Sequence, residues 1–215
     1  MNNSSYDRVS WDDYFMQMVD IVASRSTCMR RKVGAILVKN NQILATGYNG
    51  APKGLMHCDK TGCIREINHV PSGERHELCR GTHAEQNAIA QAAKLGVAIE
   101  NSTLYVSCTP CCICARIIIN AGITKVIFKE LYKDEMAMRF LYSAGIDIVQ
   151  QGNNFTCPTC SGLGILEEDT EQEIAEKELC LTCYGTGKVK DGPGAIIEYY
   201  RYHKPDISFT TKRER

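Results

Sequence analysis

The stretch TLYVSCTPCCICARIIINAGITKVIFKELYKDEMAMRFLYSAGIDIVQ, residues 103–150, switches repeatedly between the period of a strand and that of a helix. Thr103 to Ser107 reads as a short buried strand, and Cys111 to Asn120 as a helix closed by Ala121-Gly122. Lys125 to Phe128 reads as a strand, Asp134 to Ser143 as a helix and Asp147 to Gln150 as a strand. Strands alternating with helices imply an α/β sandwich, because each helix must bury its apolar stripe against a sheet.

Toward the N-terminus, the Ala-rich run from His83 to Leu95 is strongly helix-forming and ends at Gly96, a C-cap residue. Val33 to Val38 and Gln42 to Gly47 flank Lys39-Asn40-Asn41 as a hairpin with a polar turn. Residues 11–25 carry apolar side chains at Tyr14, Phe15, Met18, Val19 and Val22, with Ser10 and Asp13 at the opening, and predict a helix. Residues 48–81 are rich in Gly, Pro, His and Cys and lack periodicity; a segment of that length in a compact domain is expected to carry function. After Gly152 a Cys-Gly-rich segment encloses an acidic stretch from Glu167 to Glu178. The reading divides the chain into a main domain over 1–151, a small module over 152–194, and a strand-like Ala195–Tyr200 followed by a basic tail expected to be disordered, over 195–215.

The 215 residues contain 25 Lys and Arg against 25 Asp and Glu. No large uniform field exists to hold a polynucleotide by counterion release, so a small anionic substrate fits better and no nucleic-acid partner is expected. Apolar runs such as Ala35–Val38 and Ile117–Ile119 are far shorter than a membrane span, and the polar N-terminus lacks a signal-peptide pattern. The expectation is a soluble cytoplasmic protein without a membrane partner. Twelve cysteines fall in close pairs or beside histidines, which in an intracellular chain is metal-ligand spacing rather than a disulfide framework.

His83-Ala84-Glu85 opens one helix and Pro110-Cys111-Cys112-Ile113-Cys114 opens another. His83, Cys111 and Cys114 supply one nitrogen and two sulfurs, leaving the fourth position of a tetrahedral zinc to water. Cys111 and Cys114, three apart on a first helical turn, project to one side, where the helix N-terminus favours thiolates. Glu85 lies two residues from His83 and would not share its direction, so it is cast as the carrier of protons rather than as a ligand. A purely structural zinc, or coincidence in a cysteine-rich chain, is the competing reading.

His-x-Glu with Pro-Cys-x-x-Cys is the signature of zinc deaminases. Together with Thr46-Gly47-Tyr48-Asn49-Gly50-Ala51-Pro52 and His83–Ile89, it makes residues 10–150 resemble the deoxycytidylate deaminases. The resemblance implies a three-layer sandwich with a five-stranded mixed sheet and hydrolysis of dCMP to dUMP and ammonia. It also implies His83, Cys111 and Cys114 as zinc ligands, Glu85 as general acid/base and Asn49 as the sugar contact. Ala84, Thr109 and Pro110, which flank the motif residues, are counted with the substrate contacts. Arg25, Ser26, Lys129 and Tyr132 are phosphate candidates by position and charge. Cys112 departs from the pattern, since related deaminases frequently carry proline there; it and Cys108 have no assigned role.

Many proteins of this resemblance are homo-oligomers, often hexamers, activated by dCTP and inhibited by dTTP, with Mg2+ as a companion of the effector nucleotide. Tyr48, Gly50, Ala51, Lys53 and Arg80 are the corresponding effector candidates. Glycines at 47, 50 and 54 would let backbone amides approach a phosphate, although the same residues also make an ordinary turn.

Two further metal sites are expected. Cys28, Cys58, His76 and Cys79 form one candidate, with Cys63 as a substitute and buried free thiols as the alternative. The other is Cys157-Pro-Thr-Cys160-Ser-Gly-Leu-Gly164 repeated as Cys180-Leu-Thr-Cys183-Tyr-Gly-Thr-Gly187, similar to the zinc-binding segment of DnaJ-type chaperones. A closed structural zinc on Cys157, Cys160, Cys180 and Cys183 is expected, against a redox disulfide. The rival functions are dCTP or dual dCMP/dCTP deamination in the same pocket and, from another class, a non-catalytic zinc-stabilised binding protein. Retention of Glu85 beside a three-ligand site argues against the last.

Overall fold

A computed structural model describes residues 8–132 and 134–152, together with four two-residue strands at 155–156, 165–166, 178–179 and 188–189. The chain runs α1 (Trp11–Ala23), β1 (Gly34–Lys39), β2 (Gln42–Tyr48), α2 (Cys58–Thr61), α3 (Ile64–Ile67), a 3-10 turn at His76–Leu78, and α4 (Ala84–Leu95). It continues through β3 (Thr103–Cys108), α5 (Cys112–Asn120), β4 (Lys125–Glu130), α6 (Glu135–Ser143) and β5 (Asp147–Gln150).

These five strands form one mixed sheet in the order β2-β1-β3-β4-β5. The β1–β2 hairpin and the β1–β3 pair are antiparallel, whereas β3, β4 and β5 run parallel, connected by α5 and α6 as crossover helices. Asn40 (φ 52°) and Asn41 (φ 58°) close the hairpin in the left-handed region that a two-residue turn between twisted strands demands.

Side chains alternate across the sheet and bury both faces. On one side Phe15, Met16 and Val19 of α1 pack on Ile36, Val38, Tyr105 and Ile127. On the other, Ala88 and Ala92 of α4, Ala115 and Ile118 of α5, and Met138 and Leu141 of α6 cover Leu37, Leu104, Val106, Val126 and Phe128. The result is the expected three-layer sandwich. The small side chains of α4 allow a close approach, and Gly47 completes it: a Cβ there would stand 2.2 Å from the Ala84 carbonyl oxygen and 2.4 Å from the Ala88 nitrogen. The expectation that Gly47 opens room for a phosphate is thereby corrected, because the space beside it is filled by the backbone of α4.

Boundaries shift where caps decide them. His83 and Cys111 are the N-cap residues of α4 and α5, with extended backbone, rather than their first helical residues. Helix α1 ends at Ala23, where the Ser24 hydroxyl donates to the Ile21 carbonyl. The aperiodic segment 48–81 contains α2, α3 and the 3-10 turn, all too short to leave a periodic signature.

Beyond Gly152, Phe155–Thr156 (β6) pairs antiparallel with Lys188–Val189 (β9), and Ile165–Leu166 (β7) with Glu178–Leu179 (β8). Cys157, Cys160, Cys180 and Cys183, and the tail 195–215, lie outside the described residues. Among the described residues no helix is long and apolar enough to cross a membrane.

Candidate active site

Two helix starts meet at the edge of the sheet. Pairing of β1 with β2 and β3 brings α4 beside α5, so the N-caps His83 and Cys111 face one another. The Gln86 amide oxygen accepts from the His83 backbone N–H at 3.0 Å and holds the entry of α4. Nδ1 of His83 lies 3.4 Å from Sγ of Cys111 and 3.4 Å from Sγ of Cys114. Among the described residues this is the only group of three or more His, Cys, Asp or Glu donors within 4.8 Å of one another. A tetrahedral zinc with bonds of about 2.0 Å to nitrogen and 2.3 Å to sulfur separates such atoms by roughly 3.5 Å, so the donor set fits the metal.

Electrostatics agree with ligation. Hydrogen bonding from Cys114, and secondarily from His83, pulls the Cys111 thiol down to about 3. Cys114, on the donating side of that pair and buried, is pushed up. A bound cation would ionise both thiols. His83 is raised, chiefly by its bond to Cys111.

Glu85, 4% exposed, is the second residue of α4 and adjoins these ligands through Cys114. Burial pushes its carboxyl up, reinforced by Cys111 and opposed by His83. A carboxyl held toward its protonated form beside the ligands can both take and return a proton. Cys112 stays outside the donor group: its Sγ lies 4.0 Å from Arg116 Nη2, and its backbone N–H donates to Asp134 Oδ2 at 2.7 Å. Cys108 is buried, and its thiol is raised to about 12 by burial and then by Glu85.

A cavity bordered by His83 and Cys111 runs along the 48–81 segment, and Asn49, Ala84, Thr109 and Tyr132 line it. Asn49 is held rigidly: Oδ1 accepts from Ser26 Oγ (2.6 Å) and the Val33 N–H (2.8 Å), while Nδ2 donates to the Arg31 carbonyl (2.8 Å). Thr109 Oγ1 accepts from the Tyr132 N–H and donates to the Tyr132 carbonyl, fixing that tyrosine over the cavity. Arg31 lies 5.9 Å from the Tyr132 ring centroid and pairs with Glu130.

The phosphate candidates fare differently. Arg25 is exposed and is not brought to the cavity. Ser26 spends its hydroxyl on Asn49, and Lys129 pairs with Asp20 at 2.7 Å. Pro110 is buried outside the cavity lining. Of the effector candidates only Gly50 lines the cavity, its N–H and carbonyl both bonded to Thr82. The Tyr48 carbonyl accepts from Asn87 Nδ2; Ala51 and Arg80 are half-buried and Lys53 is exposed, all outside the lining.

Cys28, Cys58, Cys63 and Cys79 gather along the same cavity. The Cys58 thiol is raised by burial and then by Cys63, Cys79 and Cys28. Neither these four thiols nor the expected set of Cys28, Cys58, His76 and Cys79 brings three donors within 4.8 Å of one another, and His76 faces the other way. Its ring lies 5.2 Å from that of His83, and its Nε2 is 3.2 Å from the Tyr132 hydroxyl. The reason is local: the 3-10 turn stops at Leu78, and Cys79 is extended, so residues three apart no longer share a side.

Sequence reasoning also missed Arg65, which is 8% exposed and lines the cavity. Lying in an aperiodic segment, it gave no signal of burial.

The family described as the cytidine and deoxycytidylate deaminase zinc-binding region matches residues 9–130. The deoxycytidylate deaminase of Saccharomyces cerevisiae is 41% identical over 144 residues, 66% of this chain and 45% of that protein. That of Schizosaccharomyces pombe is 38% identical over 149 residues, 69% of this chain and 46% of its own. The chain therefore spans slightly under half the length of these relatives. The dCMP deaminase of cyanophage S-TIM5, solved in complex with dCMP and dUMP, superposes with a TM-score of 0.53 at 31% identity, over 64% of this chain and 94% of that one.

Proposed function

Since the chain belongs to the cytidine and deoxycytidylate deaminase family, we propose that it hydrolyses dCMP to dUMP and ammonia. The observation that carries this reading is the convergence of His83, Cys111 and Cys114 beside a buried Glu85 at one end of a cavity long enough to be lined also by Asn49 and Tyr132. His83, Cys111 and Cys114 would hold a zinc ion, which would supply a bound water acid enough to ionise near neutrality. Glu85 takes one proton from the attacking water and passes it to N3 of cytosine, then takes the second proton from the hydroxyl added at C4 and delivers it to the departing amine, which leaves as ammonia. Asn49, locked by three hydrogen bonds, orients the sugar, while Ala84 and Thr109 form the wall against the base.

The test is ammonia release from dCMP, dCTP, deoxycytidine and cytidine by the zinc-loaded protein and by a Glu85→Gln control. Turnover of dCMP that the control lacks is the expected result. Preference for dCTP would keep the chemistry and change the substrate. No turnover of any of the four, with zinc verified, would favour the binding-protein reading.

The proposal extends to activation by dCTP and inhibition by dTTP, with Mg2+ accompanying the effector, through Tyr48, Gly50, Ala51, Lys53 and Arg80. It includes a homo-oligomer, a hexamer by the family resemblance, in the cytoplasm. Exposed Trp11, Tyr14 and Ile21 on α1 support the oligomer. Flat kinetics in both nucleotides, and a monomer by sedimentation, would remove these extensions. Structural zinc is proposed on Cys157, Cys160, Cys180 and Cys183, supported by their repeated spacing in the sequence between the paired strands β6–β9 and β7–β8. A second is proposed where Cys28, Cys58, Cys63 and Cys79 line the cavity, and it requires these thiols to close on the ion, because no three of them lie within 4.8 Å of one another. Zinc content unchanged in Cys160→Ser or Cys58→Ser would refute the respective site.

A further inference from the structure

We propose that Arg65 is the cation that reads the 5′-phosphate of the substrate and so makes this site select a nucleotide over a nucleoside. The assignment rests on the deaminase reading above and adds a specificity-determining residue to it. Arg65 sits on the four-residue α3 and is 8% exposed, the only Lys or Arg among the buried residues described. Its Nη2 donates to the Pro71 carbonyl at 3.1 Å, yet Nε is buried with no hydrogen-bond partner. No carboxylate among the described residues lies within ion-pair distance of it. A buried guanidinium without a counter-charge is costly, and its unused donors are arranged to receive an oxyanion.

Position decides which anion. Arg65 lines the same cavity as His83, Glu85 and Cys111. Its charge is felt by His76 and Tyr132, which stand on that wall and contact each other. His76 Nδ1 is also buried without a partner, the Gly73 backbone approaching the ring outside hydrogen-bond geometry. Of the three orphaned buried side-chain atoms among the described residues, two therefore belong to this wall. A ligand with its amine at the ligand trio and a phosphate monoester at its other end meets Arg65 there. Arg25, exposed and outside the lining, does not serve this role.

The test uses the full-length zinc-loaded protein, Arg65→Gln and Arg65→Lys, after thermal melts establish that each variant folds. Two readouts are taken: the ratio of kcat/KM for dCMP to that for deoxycytidine, and calorimetric titration with inorganic phosphate. For Arg65→Gln the ratio falls at least about tenfold and phosphate binds at least about tenfold more weakly, the scale of one lost charge-assisted contact. Arg65→Lys, which keeps the charge and loses the fork, recovers part of both. A ratio and a phosphate affinity equal to those of the parent overturn the assignment, as does an equal loss on both substrates, the result of a merely structural role. If Arg65→Gln does not fold, Arg65→Lys carries the test: a weakened ratio and phosphate binding support the assignment, and parental values overturn it. Absence of dCMP turnover in the parent would refute the deaminase reading, whereas phosphate binding that depends on Arg65 would still establish the anion site.

Discussion

Nδ1 of His83 and Sγ of Cys114 lie 3.4 Å apart although 31 residues separate them in the chain. The contact forms because two helix N-termini abut at the edge of one sheet, and every chemical expectation for this protein depends on it.

Replacing Cys114 with serine leaves the trio short of a soft donor. Bound zinc is expected to fall by about one ion per chain and deamination to be lost. Metal analysis after dialysis, paired with the ammonia assay, checks both. Retention of full zinc would mean that the trio is not the metal site.

Glu85→Gln keeps the shape of the side chain but removes the proton carrier. Turnover is expected to drop at least about a hundredfold while zinc content stays at the parental level. If zinc were lost instead, Glu85 would be a ligand and its role here wrong.

Gly47→Ala should reach the active site from outside it. The added methyl stands 2.2 Å from the Ala84 carbonyl. Backbone cannot yield as a flexible side chain does, so a loss of about 1–3 kcal/mol is expected, and α4 is pushed off the sheet with His83 and Glu85 on it. Denaturant melts and kcat/KM should both fall; a variant as stable and active as the parent would show that this contact is slack.

Tyr105→Phe separates a structural role from catalysis. The Tyr105 hydroxyl donates to Asp12 Oδ1 at 2.6 Å, tying β3 to α1 on the face away from the cavity. Its loss is expected to cost about 1–2 kcal/mol at neutral pH with little change in turnover. Burial, and then the bond to Asp12, raise the tyrosine above its ordinary value of 10. The folded state therefore resists ionisation more than the unfolded one, and stability present below pH 10 declines as pH rises past it. The phenylalanine variant should lack that component of alkaline destabilisation. Parallel pH-stability curves above pH 10 would contradict the assignment.

The architecture and the metal trio were readable from residues 83–150 because their signals are local. Helix and strand periods, Gly96 after Leu95, and the spacing of Cys111 and Cys114 depend on neighbours a few positions away. The separation of Cys112 from the ligands follows from the same helical geometry. Other features depend on which distant segments touch, and there the linear pattern fell short. Gly47 suggested an open loop until α4 packed against it. His76 suggested a partner for Cys79 until the ending of its turn set it beside His83. Arg25 and Arg65 are the same residue type, yet only the tertiary structure left one in solvent and buried the other at the cavity wall. Burial and charge pairing are sums over contacts distant in sequence, so spacing can nominate ligands on adjacent turns but cannot say which cation the fold will leave without a counter-charge.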